Sequence, residues 1–470
     1  MRRVETVNRT ATDESAAVPA SRGGTAKLLA LLGFSTMPMI DATIVNVAAP
    51  SIARDLPATS TQLQFVVGGY LLAYGALIIT GSRWGARHGH VRALRAATTG
   101  FVLASAVCGL APNAVVLIAA RAVQGVTAAA IMPQVMSLIQ RNYAGPALAR
   151  ALSMFSLTTA AGFILGQVGG GLLVALDLAG LGWRLVFLVN LPIGVVLLLA
   201  LRRHFPSDEG DPQTRMDAGG VVAGAAALLL LIAPLTFGRT YGWAPWVIGL
   251  LALAVPAFAA FFGVERIVAR RGGSPLVSAE LVRSQGFPTA VAVVLLVFAN
   301  YAGFLFTTTL FLQADHGYGP LASGLWFLCF TPGFVAVTIG WKRVPARLLG
   351  PLVAAGAVVV AVGDLLLWRA AQSAVVGVGF AFSLLVLGTG FGAMFSPILT
   401  VALRSVAPER APEASGVVTT MFQVGSAIGV AVIGSVYFAG GGLAAAAVWS
   451  AAFAGAAAVL VVVTRVRGGA

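Results

Sequence analysis

Charge is scarce in this chain. Of 470 residues only 10% are Asp, Glu, Lys or Arg, while 58% are hydrophobic. A water-soluble domain carries about 25% charged residues to cover its surface, so an ordinary soluble enzyme is excluded. Cysteine is scarcer still: Cys108 and Cys329 both lie inside apolar segments, which leaves no disulfide framework and reads both as packing residues. No HExxH pair, glycine-rich phosphate loop or multi-cysteine array occurs, so neither ATP hydrolysis nor structural zinc has residues to carry it. No metal or other cofactor is expected. Lysine is confined to Lys27 and Lys342, and acidic residues number 16 against 30 basic ones.

What the chain has instead is long apolar runs. They fall at 28–49, 62–81, 93–111, 114–137, 149–175, 182–201, 217–237, 246–264, 287–312, 322–340, 346–368, 373–400, 414–438 and 443–464. Each is long enough, at about 1.5 Å per residue, to cross a hydrocarbon layer about 30 Å thick. The expected fold class is an all-α integral membrane protein with fourteen transmembrane helices. Residues 1–27 read as a polar tail, and the first run lacks a small-residue processing site, so it reads as a retained span. With the N-terminus inside, alternate connections and the two tails collect 25 of the 30 basic residues on the cytoplasmic side, the bias that orients membrane helices. The net charge of +14 is thereby explained by loops that meet anionic lipid headgroups, and nucleic acid is not an expected partner.

Two charged residues stand near the middle of apolar runs. Asp41, in Asp41-Ala-Thr-Ile-Val-Asn-Val-Ala-Ala-Pro50, falls near the middle of the first span. A carboxylate there needs a partner or water, and two roles fit: coupling or substrate recognition, or a polar tie between helices. Arg121, in Arg121-Ala-Val-Gln-Gly125, is the one basic residue well inside a run. It requires a carboxylate, water or carbonyl partner. Asp41 is its candidate partner on charge grounds, either as a fixed ion pair or as part of proton coupling or gating. Gln124, three residues on, shares the Arg121 face, whereas Asn46 lies five residues beyond Asp41 and fits packing equally well.

Glycines 162, 166 and 170 repeat at four-residue spacing in the fifth run and allow another helix to approach closely. Such a stripe serves static packing or a moving interface. Asp364, near Arg369, reads as an interfacial anchor or an additional proton or cation site. Tyr70, Tyr74, Phe155, Phe304 and Trp326 are candidate walls of a substrate cavity, and so are Asn46 and Gln124. An apolar cavity with few charges favours an amphiphilic or aromatic solute.

Together these stretches resemble the fourteen-helix drug:proton antiporters of the major facilitator superfamily, which include bacterial multidrug and antibiotic-resistance exporters. The resemblance covers about residues 28–464. It rests on the Asp41–Pro50, Arg121–Gly125 and Gly162–Gly171 stretches. Gly182-Trp-Arg-Leu-Val-Phe-Leu-Val-Asn-Leu-Pro-Ile-Gly194 adds to it, as do Phe311-Leu-Gln313, Gly317-Tyr-Gly-Pro-Leu-Ala-Ser-Gly324 and Phe422-Gln-Val-Gly-Ser-Ala-Ile-Gly429.

The resemblance implies a six-plus-two-plus-six arrangement. In it 28–201 and 287–464 are six-helix bundles, 202–286 is a linker with two helices, and 465–470 is a second cytoplasmic tail. It also implies alternating-access export driven by protons, in a bacterial cytoplasmic membrane with both termini inside. Protons, the solute and membrane lipids are its partners, and no obligate protein partner is expected. Asp41 and Arg121 would serve proton coupling. A dedicated metabolite exporter or proton-coupled importer is the nearest alternative, and a nontransporting sensor or scaffold the remote one.

Two departures stand out. The family's loop between spans 2 and 3 carries Asp followed by Arg, but in Gly81-Ser-Arg-Trp-Gly-Ala-Arg-His-Gly-His-Val-Arg92 it is Ala86 that precedes Arg87. Arg83, Arg87 and Gly89 are the gating candidates of this loop, and a gate that needs the missing carboxylate must use other contacts. Gln167 stands where the fifth-span motif has proline.

Overall fold

A backbone crossing hydrocarbon must satisfy its own N–H and C=O groups, and a helix does so within one segment. The computed structural model describes residues 22–212, 218–238, 240–271, 276–277, 279–284, 286–373, 375–395, 397–403, 406 and 411–468. Among them the regular structure is helical throughout.

The long helices run in order as α1 (Arg22–Asp55), α2 (Ser60–His88), α3 (His90–Gly109), α4 (Ala114–Asn142) and α5 (Gly145–Leu176). They continue as α6 (Gly182–His204), α7 (Ala218–Phe237), α8 (Pro245–Arg270) and α9 (Phe287–Leu310). α10 is a bent pair, Pro320–Cys329 and Thr331–Gly340, with 41° between its parts. α11 (Leu349–Ala370), α12 (Val378–Phe395), α13 (Ala411–Val436) and α14 (Gly442–Gly468) complete the series. Among the described residues eleven helical stretches are long and apolar enough to cross a membrane, or twelve with the bent pair taken as one span. The last stretch, 416–463, contains the break between α13 and α14, where Gly440 (φ 90°) and Gly442 (φ 54°) leave helical geometry.

The starts of the helices follow local chemistry. Thr59 and Gln62 form a capping box on α2, with Thr59 Oγ1 accepting from the Gln62 amide at 3.2 Å and Gln62 Oε1 from the Thr59 amide at 2.9 Å. Asn113 caps α4 through the Val116 amide at 2.9 Å. Proline occupies the first turn of α5, α8, α9 and α10, where its missing N–H costs nothing. α1 begins at Arg22, inside the stretch expected to be tail, and α14 runs to Gly468, also into an expected tail. No proline interrupts 22–37 or 442–468, so the helices carry on past the apolar runs. Residues 1–21, the remainder of the expected N-terminal tail, lie outside the described residues, as do Arg215, Arg239, Arg404 and Arg410.

In the N-terminal half α1 packs on α5, and α4 packs on both α2 and α3. In the C-terminal half α9 packs on α13, and α11 packs on α12 and α14. The halves meet through α2 with α13, α5 with α10, and α1 with α9. α7 and α8 pair with each other, and α7 lies against both α2 and α13. Hydrogen bonds between the halves sit near the end where α1 passes into α2. There Gln64 Nε2 donates to the Val430 and Ala431 carbonyls, both at 3.2 Å, and Gln313 Nε2 to the Val47 carbonyl at 2.9 Å. The outward face of α8 leaves Leu253 and Val255 more than half exposed, a surface suited to lipid chains.

Candidate functional site

Asp41 and Arg121, a carboxylate and a guanidinium from different helices, meet in the interior of the N-terminal half with no exposed surface on either. Arg121 Nη1 donates to Asp41 Oδ2 in a short, direct ion pair. The same nitrogen donates to Gln124 Oε1 at 2.7 Å, and Arg121 Nε donates to the Val66 carbonyl of α2 at 3.0 Å. Gln124 Nε2 then reaches Asp41 Oδ1 at 2.9 Å and Ser105 Oγ of α3 at 2.7 Å. Asn190 of α6 approaches the same pair of acceptors, Asp41 Oδ1 at 2.9 Å and Ser105 Oγ at 3.3 Å.

Beneath the guanidinium lies the Tyr70 ring, 4.1 Å from its carbon, with Phe187 at 5.7 Å. Five helices therefore converge on one charge pair, and Arg121 Nη2 is left without a hydrogen-bond partner. A buried ion pair of this kind holds only while both charges and the surrounding donors are in place. Any change in the charge of Asp41 must be felt by α1, α2, α3, α4 and α6 together.

The turn of α1 that carries Asp41 also lines the boundary between the halves. Thr43 and Asn46 line a small central cavity with Tyr301 of α9 and Phe422, Gln423 and Ser426 of α13. Its walls are apolar or neutral polar, without a formal charge. Asn46 Oδ1 and Gln423 Oε1 have no hydrogen-bond partner, so each is an acceptor open to a donor on a solute.

The glycine stripe of α5 lies against the same helix. A Cβ at Gly162 would stand 2.9 Å from Met39 Cβ, one at Gly166 2.7 Å from the Ile40 carbonyl, and one at Gly170 2.8 Å from Ile44 Cγ1. Only glycine permits this approach, and the contacts flank Asp41 on either side.

The other candidates lie elsewhere. Tyr70 supports Arg121 and donates its hydroxyl to the Pro38 carbonyl at 3.0 Å. Tyr74 is buried edge-on to Tyr70, with 5.9 Å between ring centroids. Gln124 belongs to the ion-pair network. Phe304 stacks with Phe330 and Phe391 inside the C-terminal half, Trp326 sits edge-on to Phe380, and Phe155 is half-buried on α5. The rings of the cavity are Tyr301 and Phe422, and Asn46 is the sequence candidate that reaches it.

Asp364 is fully buried on α11 and accepts from Asn300 Nδ2 of α9 at 2.8 Å, while the same amide nitrogen donates to the Ser450 carbonyl of α14 at 2.7 Å. Arg83 and Arg87 sit in the last turns of α2, and Gly89 (φ 96°) makes the turn into α3. Among the described residues no group of three or more His, Cys, Asp or Glu side chains is placed to hold a metal.

Ser105 and Asn190 escape a reading of the sequence because uncharged polar residues in apolar runs are ordinary. The Gly182–Gly194 stretch carries Asn190, and a lone amide in a span is the one signal there.

A Major Facilitator Superfamily model matches residues 30–430. The chain belongs to the Major Facilitator Superfamily. It is 32% identical to a probable actinorhodin transporter of Streptomyces coelicolor over 88% of this chain and 72% of that protein. It is also 32% identical to a puromycin resistance protein of Streptomyces alboniger, over 87% of this chain and 81% of that one. In fold it is similar to a bacterial homologue of the human lysosomal transporter Spinster solved in an inward-facing and occupied conformation. The TM-score is 0.66 at 16% identity, with 94% of this chain and 96% of the other covered. As a member of this superfamily the chain is a multi-pass membrane transporter of small molecules, similar to its drug and antibiotic-resistance exporters, and not an enzyme.

Proposed function

We propose that this transporter exports amphiphilic or aromatic antibiotics in exchange for protons, by alternating access. The observation that carries the reading is the buried Asp41–Arg121 pair, on the same turn of α1 that lines the central cavity. When Asp41 takes a proton, the pair gains a net positive charge in a low-dielectric interior, and Arg121 loses its counter-charge. The energetic penalty is relieved by a conformation that hydrates or re-pairs the guanidinium. Binding of solute between Asn46, Tyr301, Phe422 and Gln423 bears on the same helix. Exchange results if proton and solute favour different conformations, since a ligand shifts an equilibrium only through differential affinity.

The names of the relatives support antibiotics as cargo, and the charge-free cavity supports an aromatic or amphiphilic solute. The positive-inside bias supports both termini in the cytoplasm of a bacterial cell. With that orientation the hydrogen bonds of Gln64 and Gln313 join the halves near the outer end. Fourteen crossings in a six-plus-two-plus-six order, with bundles over 28–201 and 287–464, are supported by three features. The 32-residue α5 is long enough to span, α13 and α14 are separated by a glycine break, and α7 and α8 pair with each other between the two halves in sequence.

The test is purified protein in vesicles of defined pH gradient, with puromycin as probe and both fluxes recorded. Wild type moves puromycin against its gradient as protons enter, and Asp41→Asn loses uphill export while still equilibrating the probe. Uphill export that survives collapse of the proton gradient, or in Asp41→Asn, defeats the proposal.

A further inference from the structure

Position 86 lacks a carboxylate, and the structure brings one to the α2–α3 turn from another part of the chain. Asp208, in the segment that follows α6, points at the N-terminus of α3. Its Oδ2 accepts from the His90 amide at 2.7 Å and its Oδ1 from the Val91 amide at 2.8 Å. Gly89 occupies the cap position of α3 and offers no side chain of its own, so Asp208 fills the place of a missing N-cap. The segment is seated by its backbone as well, with the Asp211 amide donating to the Ala86 carbonyl at 2.8 Å. A Cβ at Gly89 would stand 2.8 Å from Asp208 Oδ1, and Gly89 also adopts the positive φ that the turn demands.

The same carboxylate reaches α4, where Arg141 Nη1 lies 3.4 Å from Asp208 Oδ2. Arg141 is about half exposed, so this contact contributes less than the two amide bonds. A second tie runs beside it: His90 Nδ1 lies 2.7 Å from Gln134 Oε1, and Gln134 Nε2 donates to the Gly81 carbonyl at 2.8 Å. The end of α2, the start of α3, the last turns of α4 and the chain leaving α6 are therefore fastened at one rim. The same segment leads to α7, which lies against both α2 and α13.

We infer that Asp208 supplies, from the segment after α6, the carboxylate that this loop lacks at Ala86, and that it acts as a positioning residue holding the rim in the form transport requires. It touches no solute. Its loss acts on the rate of conformational exchange and leaves the cavity as it was.

Two readouts on the full-length protein test this. Hydrogen exchange at residues 88–92 needs no substrate: Asp208→Ala accelerates it about tenfold, and adding Ala86→Asp to that variant restores protection. In vesicles, Asp208→Ala lowers the maximal rate of puromycin export about fivefold at unchanged KM, Ala86→Asp restores it to within about twofold, and Asp208→Asn falls between. The exchange arm stands even if wild type does not carry puromycin, which separates failure of this inference from failure of the proposed cargo. If Asp208→Ala does not fold, Asp208→Asn carries both readouts. Unchanged exchange, faster exchange with unchanged transport, or no rescue by Ala86→Asp each overturns the inference.

Discussion

Among the described residues each half of the molecule buries one carboxylate completely, and the two are treated differently. Asp41 meets a guanidinium and two amide side chains, so both of its oxygens are occupied. Asp364 meets a single amide nitrogen, from Asn300, and its Oδ1 and the Asn300 Oδ1 are both left without a partner. Besides the Val66 carbonyl of α2, the N-terminal cluster draws on α1, α3, α4 and α6, and the C-terminal one on α9, α11 and α14. In the proposed arrangement these are corresponding helices, except that α12 contributes nothing like Arg121. The comparison separates two uses of a buried acid. One is a charge pair whose balance a proton can upset, and the other is a polar tie with no counter-charge to release.

The comparison breaks most sharply at Arg121. Arg121→Gln leaves Asp41 without its cation, and stripping one partner from a buried pair costs about 3–5 kcal/mol. The double variant Asp41→Asn with Arg121→Gln removes both charges at once and regains about half or more of that loss, because no uncompensated charge remains. Both variants abolish proton-coupled export. Thermal unfolding in detergent, with the Asp41→Asn single variant completing the cycle, gives the coupling energy. Additive effects would mean that the pair is not the unit that holds these helices.

A smaller effect is expected at the stripe that holds α1 in place. Gly166→Ala puts a Cβ 2.7 Å from the Ile40 carbonyl and forces α1 and α5 apart beside Asp41. Overpacking of this kind costs about 1–3 kcal/mol. Gly169 is the control, because it sits on the same helix next to Gly170 but has open space where its Cβ would go. Gly169→Ala leaves both melting temperature and export near wild type. Equal losses at Gly166 and Gly169 would remove the stripe from any part in the N-terminal site.

The contact between Asp41 and Arg121 is readable from sequence for a physical reason: they are opposite charges inside apolar runs, and neither tolerates solitude there. Their neutral partners are not. Ser105 and Asn190 look like many other polar residues in spans, and only the packing of α3 and α6 on α4 and α1 gives them an address. The cavity walls are less legible: Tyr70 lies under Arg121 and Phe304 stacks inside the C-terminal half, while Tyr301, Phe422 and Gln423 line the cavity. The helical class is legible from run length, yet the 41° bend in α10 is not, because hydropathy is blind to helix direction. Ala86 is visible as an absence. Its replacement, 122 positions further along the chain, requires the fold.

The smallest effect belongs to the C-terminal carboxylate. Asp364→Asn keeps an acceptor for the Asn300 Nδ2 bond and adds donors to a cluster in which two oxygens have none. Exchange of one small hydrogen-bonding group for another of nearly equal volume changes stability by about 1 kcal/mol or less. Export in Asp364→Asn therefore stays within about twofold of wild type, with the same dependence on the proton gradient. The measurement is the vesicle assay with puromycin, run beside Asp41→Asn at equal protein. A loss from Asp364→Asn as large as that from Asp41→Asn, in a protein that melts normally, would make the two halves functional equals and place a second proton site on α11.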